Sequence, residues 1–375
     1  MNKRIKNIMS LGVLVAFTVG SFIGCSGSSK TTLQSSSASG DKKQVIVISK
    51  SFQNQFYQAA FKGAEKAGED FNVTVTTNGP DAESNISQQV DQVAAAINKK
   101  PAAIVLAACD PQALESTLSK AKEKGIPVIG FDSGVPGDTT GAVVATAATD
   151  NTKAGAFVAE NLCKDTNFQQ KVLKGTEDKP TVIGILAQDA TSGSIVLRTN
   201  GFIGEIVKDL EALDGLKGAV DVSGQEIWNK KSEKTAKVKV VITVPPSTSQ
   251  ADIQTAATTM LKTPNMVALF AGNQGAVDGI ISATADGSDL DRTSGKYKDL
   301  IVVGFDAGAA QKLAVKNSAF LGSVTQDPYQ MGYDAVKLAS EIADGKKVDG
   351  DIDTGSKWYN KDNIGNEDIA TLLYD

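Results

Sequence analysis

Short apolar runs alternating with amphipathic helical stretches, one scheme carried through twice, constrain this chain more than any other feature. QVIVIS (44–49), NVTVTT (72–77), AAIVLAA (102–108) and IPVIGF (126–131) are rich in β-branched residues. Between them lie helical segments such as SNISQQVDQVAAAIN, where Ile86, Val90, Val93 and Ile97 recur at helical spacing and form one face. The second half repeats the order with TVIGILAQD (181–189), KVKVVITV (237–244), MVALFAGN (266–273), LIVVGFDAG (300–308) and FLGSVTQD (320–327). Strands that are apolar on both faces need cover on both faces. Helices alternating with them supply it, so the pattern predicts parallel sheets in an α/β fold. With 375 residues there is chain for two such bodies. Residues 211–236 are polar and weakly periodic, and read as an insertion or long loop in the second body.

Two pentapeptides tie the halves together. GFDSG (130–134) and GFDAG (304–308) each close an apolar strand, so each half presents an aspartate, Asp132 or Asp306, at an equivalent strand end. Ligands of open parallel sheets bind beyond the carboxyl ends of the strands. That rule selects SKSFQNQF after the first strand, CDP after the third, the two FD[SA]G segments, AQDATSG, PPSTSQ, GNQG and TQDP. These ends and the adjoining helix starts hold Asp110, Asp132, Arg198, Asn273, Asp306 and Gln326, with Phe52, Phe56 and Tyr57 as aromatics. Carboxylates, a guanidinium, amides and rings suit a neutral, hydroxyl-rich ligand, because charged groups make the stronger hydrogen bonds and aromatic faces cover C–H surface. Asp110 before Pro111 also reads as a helix N-cap. Phe56 and Tyr57 are adjacent on a helix, which directs one of them to the core. Phe131 and Phe305 read as core, and Lys50 and Gln53 as solvated.

The start of the chain is of another kind. Lys3, Arg4 and Lys6 precede an apolar run that ends in FIGC, the form of a signal peptide over residues 1–24 followed by a lipidated Cys25. An uncleaved N-terminal anchor is the alternative, and either places the body outside the cytoplasm. The Ser-rich residues 25–43 form a tether. Without residues 1–24 the chain has 35 basic and 43 acidic residues, a net charge of −8, which makes nucleic acid a poor partner. There is no histidine, which excludes Ser-His-Asp and Cys-His nucleophile systems and His-ligated metal sites. No glycine-rich phosphate loop follows the first strand, against dinucleotide binding. No catalytic residue, cofactor or metal is expected. Cys109 and Cys163 read as buried thiols.

In combination and in order, VISKSFQNQFYQAAFKGAEKAG, DQVAAAINKKPAAIVLAACDPQAL, KAKEKGIPVIGFDSG, ATDNTKAG, FAGNQGA, VVGFDAG and TQDPYQMGYDAV resemble the sugar-binding, type I periplasmic binding proteins of ABC importers. The resemblance runs from about residue 44 to 345. It implies two doubly wound parallel-sheet lobes joined by a three-crossing hinge, with crossings near 148–149, 326–327 and 350. The first lobe is then 44–148 plus 327–350, and the second 149–326 plus 351–375. It implies a ligand site of Asn54, Phe56, Asp132, Arg198, Asn273, Asp306 and Gln326, to which Asp110 is added from the strand-end rule. Ser133 and Gln274 depart from the ribose-type pattern at two positions. The implied function is capture of a monosaccharide or polyol for ABC permease subunits by a monomeric lipoprotein on the outer face of the cell membrane. A sugar or autoinducer-type sensing receptor on the same fold, or less directly a carbohydrate-active enzyme, is the alternative.

Overall fold

The computed structural model describes residues 42–348 and 350–374; the signal segment, Cys25 and nearly all of the tether lie outside them. In the first half β1 (Gln44–Ile48), α1 (Gln55–Asp70), β2 (Thr74–Asn78), α2 (Ile86–Asn98), β3 (Ala103–Leu106), α3 (Pro111–Glu123), β4 (Val128–Phe131) and β5 (Val143–Ala148) follow one another. The second half runs α4 (Asn151–Lys164), α5 (Thr166–Val172), β6 (Thr181–Leu186), α6 (Gly193–Glu211), β7 (Val220–Ser223), β8 (Val238–Thr243), α7 (Gln250–Met260), β9 (Met266–Ala271), α8 (Gln274–Ala283), β10 (Ile301–Phe305), α9 (Ala309–Lys316) and β11 (Gly322–Gln326). The chain ends with α10 (Pro328–Ala343), β12 (Ile352–Asp353), β13 (Ser356–Tyr359) and α11 (Glu367–Ala370).

The strands make two sheets, ordered β12-β5-β4-β3-β1-β2 and β13-β11-β10-β9-β6-β8-β7. All pairings are parallel except that of β13 with β11. The expected α/β class with two parallel-dominated sheets is what the chain forms. Each sheet has a core on both faces, as its continuous apolar strands require. In β1, Val45 and Val47 pack into one cluster, while Ile46 and Ile48 pack into another. In β10, Ile301, Val303 and Phe305 face one side and Val302 the other.

Three connections pass between the sheets. β5 leads into α4, which packs on β10, β11 and β13; β11 leads into α10, which packs on β3, β4 and β5; and β12 leads into β13. These connections are bonded to one another. Thr354 N–H donates to Ala148 O (3.0 Å), and Thr149 Oγ1 donates to Gly355 O (2.9 Å). Two expectations shift. The third crossing lies at Thr354–Gly355 rather than near residue 350, because Ile352 and Asp353 pair with Ala147 and Ala148 in the first sheet. Residues 211–236 are not a plain loop: β7 extends the second sheet beside β8, and Val220, Val222 and Trp228 enter its core.

Candidate functional site

The two sheets turn the carboxyl ends of their strands toward one small shared cavity. Asn54, Phe56, Asp132, Arg198, Asn273, Asp306 and Gln326 line it. Asp110 does not: its carboxylate accepts from Gln112 N–H (2.8 Å) and Ala113 N–H (3.3 Å), and so caps α3. Its expected place in the site is corrected to the N-cap role.

The twin pentapeptides hold their aspartates alike. Asp132 (φ 53°) and Asp306 (φ 76°) both sit in the left-handed region, which is costly for a residue with a side chain. Each is held there by its backbone N–H, which donates to the neighbouring strand: Asp132 to Ala147 O (3.2 Å) and Asp306 to Val324 O (2.7 Å). The turn lifts each carboxylate off the strand end into the cavity. Asp132 accepts from the Tyr57 hydroxyl (2.7 Å). Asp306 accepts from Gln326 Nε2 (2.6 Å) and Gln274 N–H (2.9 Å). Burial raises the Asp306 carboxyl above the ordinary range, and the nearby Arg198 guanidinium opposes that rise.

Arg198 projects from α6 and is 2% exposed. Nη1 donates to Gly272 O (2.8 Å), and Nε and Nη2 donate to Asn151 Oδ1 (3.2 and 2.7 Å). The guanidinium lies 3.5 Å above the Phe305 ring centroid. Burial pulls its pKa down, and the Asp306 and Asp132 carboxylates resist. Helix α6 reaches this position by close packing on α4. A Cβ at Gly155 would stand 2.0 Å from Arg198 O, and one at Gly201 would stand 1.9 Å from Thr152 O. Only glycine fits at either place.

Asn54 and Asn273 play matching parts at two helix starts. Asn54 Oδ1 accepts from Phe56 N–H (2.9 Å) and caps α1, while Asn273 Oδ1 accepts from Ala276 N–H (3.1 Å) and caps α8. Each oxygen serves the backbone, which leaves an amide donor beyond it. The buried Gln326 Oε1 and Gln274 Oε1 have no hydrogen-bond partner among the described residues. Buried acceptors are rarely left so, and here both line the cavity.

Other residues of the cavity depart from the reading of the sequence. Lys50, read as solvated, is 3% exposed, with Nζ 3.2 Å from Glu83 and 4.0 Å from Asp132. Burial works against its ammonium, but Glu83, Asp132 and Asp189 together hold its pKa above the ordinary lysine value. Burial raises the Glu83 carboxyl, against the pull of Lys50. Glu83 follows β2, a strand end that the strand-end rule covers but whose polar loop carries no other signal. Phe56 and Tyr57 both line the cavity, since adjacent residues in a first helical turn flank it together. Phe131 and Phe305 are core, as expected, and Phe305 also floors Arg198. Ser194, Ile195 and Gln274 complete the wall. Cys109 and Cys163 are unpaired, the first buried and the second half-buried.

The cavity thus presents three carboxylates, unpartnered amide acceptors, two held cations and aromatic rings. It can accept several hydroxyl protons and cover one apolar ring face. Among the described residues no His, Cys, Asp and Glu group is placed to hold a metal, and no helix is long and apolar enough to cross a membrane.

A family model described as "periplasmic binding protein domain" matches residues 45–347. The chain belongs to that family. It is 24% identical over 324 residues to the D-ribose/D-allose-binding protein of Pseudomonas aeruginosa, covering 84% of this chain and 88% of that one. It is 26% identical over 318 residues to the ribose import binding protein of Bacillus subtilis, covering 83% and 86%. Among solved structures, one described as an ABC transporter, LacI family transcriptional regulator from Brachyspira murdochii is 32% identical, with a TM-score of 0.74 and coverage of 89% and 99%. A carbohydrate transporter solute-binding protein of Agrobacterium radiobacter, in complex with D-arabinose, is 26% identical with a TM-score of 0.72 and coverage of 89% and 99%. An ABC transporter solute-binding protein of Agrobacterium vitis with bound D-fucose is 28% identical with a TM-score of 0.71 and coverage of 88% and 100%. These periplasmic binding proteins share with this chain the two-sheet body that frames its cavity.

Proposed function

We propose that this chain is a solute-binding protein that captures a neutral monosaccharide or polyol between its two lobes and delivers it to ABC permease subunits. It binds its ligand and does not transform it. One observation carries the reading: two aspartates from equivalent strand ends of the two sheets, Asp132 and Asp306, converge with Arg198 on one acceptor-rich cavity. Sugar hydroxyls are the donors such a cavity lacks, and the Phe56 and Tyr57 rings suit the C–H face of a sugar ring. The sugars named for the relatives support the class. The site residues are Asn54, Phe56, Asp132, Arg198, Asn273, Asp306 and Gln326, joined by Lys50, Tyr57, Glu83 and Gln274. The charged start, apolar run and FIGC support a body held by lipid at Cys25 on the outer face of the cell membrane.

A thermal-shift panel of pentoses, hexoses, deoxyhexoses and polyols tests the proposal. At least one neutral member raises the melting temperature, and Asp132→Ala and Asp306→Ala each abolish the rise. No shift across the panel, or turnover of a glycoside added to it, overturns it.

A further inference from the structure

One set of side chains in the cleft joins the lobes directly. Lys50 follows β1 and Glu83 follows β2, so both stand on the first sheet; Gln188 follows β6 and Ser192 precedes α6, so both stand on the second. Lys50 Nζ and Glu83 Oε2 form a buried ion pair at 3.2 Å, their side chains 4% and 11% exposed. Each end reaches across. Lys50 Nζ donates to Ser192 Oγ (3.2 Å), and Glu83 Oε2 accepts from Gln188 Nε2 (2.8 Å). Gln188 Oε1 in turn accepts from Asn273 Nδ2 (2.7 Å), so the chain of bonds ends on a residue of the ligand cavity.

We propose that the Lys50–Glu83 pair is a clasp between the lobes, which favours the closed body before a sugar binds and sets Asn273 through Gln188.

The physical basis is the asymmetry of buried charge. An ion pair sealed between the lobes keeps all its hydrogen bonds only while they are together. When the lobes part, Lys50 and Glu83 stay paired on the first lobe but lose Ser192 and Gln188, and water replaces those partners. The clasp is therefore a differential interaction between the two states, which is the condition for any group to shift their populations. It also gives a further role to Lys50 and Glu83, which line the cavity beside Asp132. A sugar meets a body already biased toward closure, so less of its binding free energy goes into bringing the lobes together. The inference concerns the ligand-free body, so it stands or falls apart from the sugar assignment.

The test uses no sugar. Nitroxide labels at Ser87→Cys on α2 and Thr255→Cys on α7, both exposed positions, report the interlobe distance by pulsed electron resonance. The full chain carries Cys25→Ser and Cys163→Ala to keep labelling specific. Without ligand, the reference chain populates mainly the shorter distance. Glu83→Ala and Lys50→Met each reduce the short-to-long ratio about tenfold, the scale of one charged hydrogen bond. Ser192→Ala and Gln188→Ala, which leave the ion pair and the first lobe intact, reduce it severalfold. If any clasp variant fails to fold, the Ser192→Ala and Gln188→Ala results decide. An unchanged distance distribution in the folded variants, or a reference chain that is mainly open without sugar, overturns the proposal.

Discussion

Replacing Asp306 with asparagine tests the core of the binding mechanism. The exchange keeps the shape, and asparagine tolerates the left-handed φ of 76° held at this position. What changes is charge and hydrogen-bond direction. The carboxylate now accepts from Gln326 Nε2 and from Gln274 N–H at its two oxygens. An amide can accept at only one of them, so its NH₂ faces a donor on the other side. A sugar hydroxyl that donated to the carboxylate loses a charged acceptor, a loss of about 1.5–3 kcal/mol, or roughly ten- to hundredfold in affinity. The fold tolerates the change, because burial already raises this carboxyl and the neutral amide removes a buried charge. Stability then moves by no more than about 1–2 kcal/mol, as the lost hydrogen bond offsets the relieved charge. Titration calorimetry with the sugar found in the panel measures the first quantity, and denaturant melts measure the second. Unchanged affinity in a folded Asp306→Asn protein would remove Asp306 from the site and refute the reasoning.

Arg198→Lys lowers sugar affinity at least tenfold, because an ammonium cannot keep three forked bonds to Asn151 and Gly272 and the stack on Phe305; calorimetry on the folded variant checks it. Asp278, on α8, has its pKa raised to about 6 by burial and by the Asp306 charge. The folded chain therefore holds a proton that the unfolded chain releases from about pH 4 upward, so this group's contribution to stability falls as pH rises through pH 4–6. Asp278→Asn removes that fall and makes the protein about 1–3 kcal/mol more stable at pH 7, with the gain vanishing near pH 4; melts across that range show it, and a constant difference would contradict it. Fatty-acid labelling marks the chain but not Cys25→Ser, and equal labelling of both would end the lipid-anchor reading.

The residues alone settle the class of this fold and point to about half of the residues that line its cavity. Apolar runs such as AIVL and VIGF can be buried only between two layers, and the helical spacing between them supplies those layers. The repeated GFD[SA]G marks two equivalent strand ends before any coordinate is known, because a strand end is a local property of the chain. Asn273 is reached by the same strand-end rule, whereas Asn54 is named only through the family resemblance, and the structure adds that both cap helices. Other features depend on what comes from elsewhere in the chain. Asp110 obeys the strand-end rule, yet its own helix claims its carboxylate. The polar stretch 211–236 hides β7, which becomes a strand because β8 offers it an edge and the core takes Val220 and Val222. Lys50 and Glu83 look like surface charges in their own segments, and neither predicts a partner 33 residues away or the second lobe that covers them both. A sequence shows which groups a residue can bond through its own backbone neighbours; only tertiary packing decides which charges are taken out of water, and so which ones must find each other.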